Sequence, residues 1–212
     1  MQDTFKKLSR EKREKIISAA AKVFAENGYY QANVAEICKE AGISNGALYK
    51  YFKDKKSLYI STFDIGTNAL RKHVFEKYLG GTDSIYVKLH KLLKGIVRFG
   101  KKDRREIAIY FELGSKSMNT FATVLSTKIE GMAMEYYTNL IEQGKQNNEI
   151  DKSINTEMAA YLIDNNINMF GFSLYSAHYN KRFSNYFQPK SKKISIEKKI
   201  QITLDLIKMI LR

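Results

Sequence analysis

Apolar positions recur every three to four residues along this chain. Ile16, Ala20, Val23 and Phe24 make one stripe, Val34, Ile37, Cys38 and Ala41 a second, and Ile200, Thr203, Leu204, Ile207 and Leu211 a third. That is the period of amphipathic helices, and no segment shows the clean alternation of a strand. The pattern predicts an all-α fold of about nine helices.

Capping residues place the boundaries. The first helix is expected over 10–26, with Ser9 as N-cap and Asn27-Gly28 as the stop. Asn33 opens the second, with Glu36 three residues on as in a capping box, and Gly42 ends it where a left-handed residue is wanted. Ile43 is read as a turn residue plugging the core, and Ser44 caps a short third helix, Asn45 to about Phe52. Asp54 caps a fourth, from Lys55 to about Leu79, stopped by Gly80-Gly81. Further helices are expected near 84–99, 104–118, 121–146, 155–178 and 195–211. Residues 179–194, with Pro189, Ser191, Lys192 and Lys193, read as a long connection.

Composition narrows the function. The 212 residues include 36 Lys+Arg and 22 Asp+Glu, a net charge of +14, which favours a polyanionic partner without separating nucleic acid from a membrane surface. There is a single proline, consistent with long helices. The lone Cys38 excludes an intrachain disulfide framework and a cysteine-based zinc cluster. No apolar run is long enough for a membrane span, and residues 1–15 lack the apolar core of a signal peptide, so a cytoplasmic protein with no membrane association is expected. His73 and Glu76 share a helix face, but no His or Cys cluster accompanies them, and neither a metal nor a cofactor is expected. No Ser/His/Asp order and no phosphate-binding glycine loop is present, so an enzyme is not expected.

Residues 33–52, NVAEICKEAGISNGALYKYF, carry the functional signal. They predict two short helices joined by a turn at Gly42, a helix-turn-helix. Val34, Ile37, Cys38, Ile43, Leu48 and Phe52 are spaced to lock the pair, which leaves Asn45, Gly46, Tyr49 and Lys50 facing outward. Small residues at Ser44, Gly46 and Ala47 permit close approach to a groove. Tyr49 suits a phosphate, and Lys53, Lys55 and Lys56 add charge at the flank.

The ordered run Gly28-Tyr29, Ala41-Gly42-Ile43-Ser44, Leu48-Tyr49-Lys50-Tyr51-Phe52, Lys55 and Leu58 resembles the N-terminal DNA-binding domain of TetR-family transcriptional regulators over about residues 10–58. The resemblance implies a helix-turn-helix domain over 1–57 and a helical effector-binding and dimerisation domain over 58–212. It implies phosphate contacts at Asn33, Tyr49, Tyr51 and Lys55, and base-edge readers at Asn45, Gly46 and Ala47 beside Ser44. Ala35 stands where the family often has Arg, and Ala47 where Thr is common, so base contact rests mainly on Asn45 and Lys50. The implied function is a sequence-specific transcription regulator, a ligand-released repressor acting as a homodimer on a palindromic double-stranded operator. The alternative is a DNA-binding adaptor or architectural protein without an effector.

Two further sets of residues follow. Gly171, Leu174 and His178, with Leu204, Ile207 and Leu211, are candidates for the dimer interface, because small and apolar residues align on the last two helices. Phe63, Thr67, Leu70, Tyr110, Phe111, Met132, Tyr136, Asn165, Met169 and Phe172 are candidates for an adaptable, mostly apolar pocket for an unidentified small-molecule effector.

Overall fold

The computed structural model describes residues 2–78, 81–102, 105, 109–110, 112–113, 118–187 and 193–212. Among them every regular element is helical: α1 (Asp3–Lys6), α2 (Arg10–Gln31), α3 (Val34–Ala41), α4 (Asn45–Tyr51), α5 (Lys55–Leu70), α6 (Ile85–Lys102), α7 (Asn119–Gln146), α8 (Thr156–Tyr175), α9 (Ala177–Phe187) and α10 (Ile196–Ile210). None is long and apolar enough to cross a membrane. The chain divides into two compact units, residues 1–69 with 103–125, and 70–102 with 126–212. Residues 58–69 pack with the N-terminal elements.

The first unit closes around Ile16, Phe24, Ile37, Leu48, Phe52 and Leu58, all essentially solvent-free. Each such side chain contributes about 1.5–3 kcal/mol by burial, more than any single cap. The caps set where helices begin. The side chains of Ser9, Asn33 and Ser44 accept from the backbone N–H groups of Lys12, Ala35 and Ala47. Asp54 and Ser57 exchange two bonds, Ser57 N–H to Asp54 Oδ1 (2.7 Å) and Asp54 N–H to Ser57 Oγ (3.1 Å).

Four boundaries differ from the pattern. α1 was not foreseen; it forms because Phe5, a lone apolar residue, is buried against Phe52 at 4.8 Å between ring centroids. α2 does not stop at Gly28 but bends there (φ 68°, ψ 169°) and adds one more turn. That turn carries Tyr29 into an aromatic cluster with Tyr59 (5.1 Å) and Phe121 (4.5 Å). α5 ends at Leu70; a π-turn over Arg71–Phe75 and a 3-10 turn over Glu76–Tyr78 follow. The π-turn's extra residue lets the consecutive Val74 and Phe75 both enter the core. The expected stop at Gly80 lies outside the described residues, as does most of the helix expected over 104–118.

The fourth difference is in the second unit. The helix expected over 155–178 breaks at Ser176 (φ −103°, ψ 126°), and α9 replaces most of the expected connection. The break lets Phe172 stack on Tyr179 at 4.9 Å. Pro189, Ser191 and Lys192 lie outside the described residues. The core of this unit is built from α6, α7, α8 and α10, with Leu89, Leu92, Ile141, Ile163, Phe170 and Ile207 fully buried.

Candidate nucleic-acid interface

The turn between α3 and α4 has a Schellman geometry. Gly42 is left-handed (φ 67°, ψ 39°), its N–H bonds to Lys39 O, and the N–H of Ile43 reaches back to Cys38 O at 3.0 Å. Ile43 is half-buried at that turn. Ile37, Cys38, Leu48 and Phe52 are buried and fix the two helices. On the opposite face Asn45, Gly46, Tyr49 and Lys50 are exposed together, as the pattern requires. A Cβ added at Gly46 would meet nothing within 4 Å, so internal packing places no demand for glycine there. Ala47 is half-buried, and Ser44 is exposed with its hydroxyl oxygen engaged as the cap of α4.

Charge on this face is mostly positive. Lys39, Lys50 and Lys53 are exposed. Glu40 is paired with Lys22 at 2.8 Å, which holds its carboxyl below the usual carboxylate range. Asn33 is exposed; its Oδ1 is engaged with Ala35 N–H at 2.8 Å, so the amide's nitrogen is the end left for a phosphate.

Two expected phosphate contacts are drawn inward instead. Tyr51 is half-buried, with its ring centroid 6.0 Å from that of Phe5. Lys55 is not directed at a free surface: its Nζ donates to Tyr30 O and Ala32 O, both at 3.1 Å, and lies 4.8 Å from the Tyr29 ring centroid. A lysine three residues past the recognition helix looks like a phosphate anchor in sequence. Here it closes the carbonyl end of α2.

The anchoring of α4 involves residues that the pattern did not single out. Thr4 donates its hydroxyl to Lys50 O, and Gln2 N–H bonds to Tyr51 O at 3.0 Å, so α1 holds the end of the recognition helix. Glu112 accepts from Tyr29 N–H at 2.9 Å and from Tyr59 OH at 3.3 Å. Burial and that neighbouring carboxylate push the Tyr59 phenol far up, so it stays a donor. Position 28 favours glycine because its φ is positive; a Cβ there would also sit 2.8 Å from Glu112 Oε1, the end of a flexible side chain that would have to shift. Only the lone Phe5 could have signalled α1 in the sequence; nothing marked Glu112.

The described pocket candidates divide between the two units. Phe63, Thr67 and Tyr110 belong to the first unit; Phe63 is buried, and Thr67 bonds to Asp64 O. Phe111 lies outside the described residues. Leu70, Met132 and Tyr136 pack in the core of the second unit. Asn165 is exposed and donates to Tyr161 O on its own helix. A cavity of about 250 Å³ does exist in the second unit, and among the described candidates Met169 lines it. Phe172 stacks on Tyr179, which also lines it. The cavity's main wall is α9, a helix that the pattern read as a connection.

The interface candidates divide as well. Leu204, Ile207 and Leu211 are buried in this chain's own core, and Leu174 packs against it, because their stripe faces α6 and α8. Gly171 faces open space, and His178 is exposed on α9 rather than on α8. On α8 and α10 the apolar residues left outward are Met158, Tyr161, Leu162, Met169 and Met209, with Ile202 and Leu206 half-buried on α10.

Comparison with known proteins agrees with this geometry. Residues 16–62 match the family model described as bacterial regulatory proteins, tetR family. The fatty acid metabolism regulator protein of Bacillus subtilis is 49% identical over 57 residues, 27% of this chain and 29% of that protein. The match thus spans under a third of that relative. The HTH-type transcriptional regulator UidR of Escherichia coli K12 is 25% identical over 164 residues, 77% of this chain and 81% of that one. Among solved structures, the fatty acid degradation regulator FadR from Bacillus halodurans shares the fold with a TM-score of 0.72, at 22% identity over 92% of this chain and 96% of that one. FadR from Bacillus subtilis in complex with stearoyl-CoA has a TM-score of 0.67, at 21% identity over 93% of this chain and 96% of that one.

Proposed function

We propose that this chain, whose residues 16–62 match the family model described as bacterial regulatory proteins, tetR family, is a sequence-specific, DNA-binding transcription regulator that acts as a homodimeric, ligand-released repressor in the cytoplasm. It acts by binding and not by catalysis. The observation that carries the reading is the exposed set Asn45, Gly46, Tyr49 and Lys50 on a short helix locked by Leu48 and Phe52. That arrangement suits insertion of α4 into a major groove, with Asn45 and Lys50 at base edges and Asn33 and Tyr49 at phosphates.

A homodimer would present two such helices and read a palindromic operator. The outward apolar stripe of α8 and α10 supports pairing with a second copy, since Met158, Tyr161 and Met209 are each more than 60% exposed. Release by an effector follows if a ligand binds the second unit better in a form that does not fit the operator.

Selection of bound DNA from random sequence tests the first part. A palindromic consensus bound in a salt-dependent way is expected; equal recovery of all sequences would overturn the reading. Titrating the operator complex with stearoyl-CoA, the ligand held by one structure of similar fold, is the first test of release.

A further inference from the structure

Tyr136 of α7 is 3% exposed, and among the described residues its hydroxyl has no hydrogen-bond partner. Buried phenols ordinarily find one, because an unmade bond leaves the full cost of stripping water from the group. Burial pushes the Tyr136 pKa up, so the hydroxyl keeps its proton and stands as a donor. Its neighbours are apolar. The Phe75 ring lies edge-on at 5.2 Å between centroids and the Tyr137 ring at 5.1 Å. Met132 and Leu140 share its helix face, one turn to either side. These neighbours offer a trapped water no second bond, where it needs roughly two to four.

The backbone beside this hydroxyl is irregular. The π-turn Arg71–Phe75 ends on the ring that packs against Tyr136. Such turns are rare and recur at functional sites. Met132 is half-buried, and its unbranched thioether side chain swings aside at low cost. Leu70, Met132 and Tyr136, three of the residues expected from sequence to line an apolar pocket, meet in this one core. The buried cations of the unit are engaged elsewhere: Lys88 donates to Gln143 Oε1 at 2.9 Å, and Lys199 to Ser173 O at 2.6 Å and Asn180 Oδ1 at 2.9 Å.

We infer that the π-turn and α7 enclose a binding site for a small, neutral, apolar molecule that carries a hydrogen-bond acceptor, such as a ketone or an ester. Its oxygen accepts from the Tyr136 hydroxyl, and its body displaces Met132 to lie against Phe75 and Leu70. A charged ligand is disfavoured, because it would be stripped of water beside rings and hydrocarbon with both buried cations already held. A hydrocarbon is disfavoured too, because it leaves the hydroxyl without a partner. The site gives a chemical class to the ligand in the ligand-released reading of the chain and rests on that reading. Binding is measured on the free chain, so loss of the site and loss of operator release are told apart.

Acetophenone and ethylbenzene share a carbon skeleton and differ by the carbonyl oxygen; benzoate adds a charge. Each is titrated into the full chain, with binding read by calorimetry and by NMR of a tyrosine-labelled sample. Acetophenone is expected to bind saturably, one per chain, and to shift the Tyr136 ring signals. Ethylbenzene and benzoate are expected to bind about fivefold more weakly or worse. Tyr136→Phe is expected to bind acetophenone no better than ethylbenzene. Without ligand that variant should melt at the same temperature as the natural chain or higher, because it loses a hydroxyl that had no partner. Equal binding of acetophenone and ethylbenzene to the natural chain, or binding of neither, would overturn the inference. So would acetophenone affinity unmoved in Tyr136→Phe, or a ligand-free variant melting several degrees lower, which would mean that the hydroxyl is already bonded in the folded chain.

Discussion

The Nζ of Lys55 bonds to the main-chain carbonyl of Ala32 at 3.1 Å, so the first residue of α5 ties down the entry to α3. The same ammonium takes Tyr30 O. Two carbonyls at the end of a helix gain a charged donor, which complements the negative end of the helix dipole as well as making two bonds. Lys55 thus helps to hold the entry to α3 in place.

Lys55→Met should therefore lower the stability of the chain by about 1–2 kcal/mol, allowing for partial exposure. It should weaken binding to all DNA sequences alike. The slope of log affinity against log salt should change little, whereas Lys53→Met, at an exposed lysine beside α4, should lower that slope by about one without a change in melting temperature. Thermal unfolding and salt-titrated gel shifts on both variants check this. A Lys55 variant of normal stability with a reduced salt slope would return the residue to phosphate contact.

Asn45 and Tyr49 share the exposed face of α4 but not a role. An amide at the start of the helix suits the paired donor and acceptor of adenine, while a phenol farther along suits a phosphate. Asn45→Ala should cost about 1–3 kcal/mol on the preferred operator and flatten selectivity at one base position in each half-site. Tyr49→Phe should weaken operator and scrambled DNA equally, by about 0.5–1.5 kcal/mol for a neutral bond. Equal losses on both DNAs for Asn45→Ala would show that it reads no base.

The outward stripe and the buried stripe of α10 make opposite predictions. Leu204→Asp places a charge among fully packed side chains and should unfold the second unit. Tyr161→Asp and Met209→Asp change residues 69% and 71% exposed, so the chain should stay folded and sediment as a monomer at micromolar concentration. Folded dimers in both surface variants would place the pairing surface elsewhere.

What the sequence made legible, and what it did not, divides along a physical line. Ser9, Asn33, Gly42 and Ser44 were readable because a cap is a local bond between residues a few positions apart. The outer face of α4 was readable because two buried residues, Leu48 and Phe52, fix its rotation. The inward bonds of Lys55 were not readable because their partners lie 23 and 25 residues earlier, and Glu112 was missed because Tyr29 lies 83 away. The stripe of Leu204 and Ile207 showed that a face is buried but not against what. The spacing of Tyr179, Phe183, Tyr186 and Phe187 is helical, but Pro189 and the lysines nearby made α9 read as a loop.

A last prediction concerns pH. Asp164 on α8 has its carboxyl pushed up to about 6, first by burial and then by the negative charge of Glu130. Asn168 opposes the shift weakly by donating to Asp164 Oδ1 at 3.2 Å. Between the ordinary value of 3.8 and about 6, the folded chain holds a proton that the unfolded chain has released. Stability must then fall as pH rises through that window, and the stabilisation is fully present only below it. Asp164→Asn is neutral throughout, keeps an acceptor for Asn168 and should lack this slope. At pH 7.5 the variant should be more stable than the natural chain by about 1–2 kcal/mol, discounted for the partial exposure of the group. Below pH 4 the two should be alike. Denaturant melts at several values between pH 3.5 and 7.5 decide the matter: parallel curves for the two proteins would mean that Asp164 titrates as an ordinary surface carboxylate.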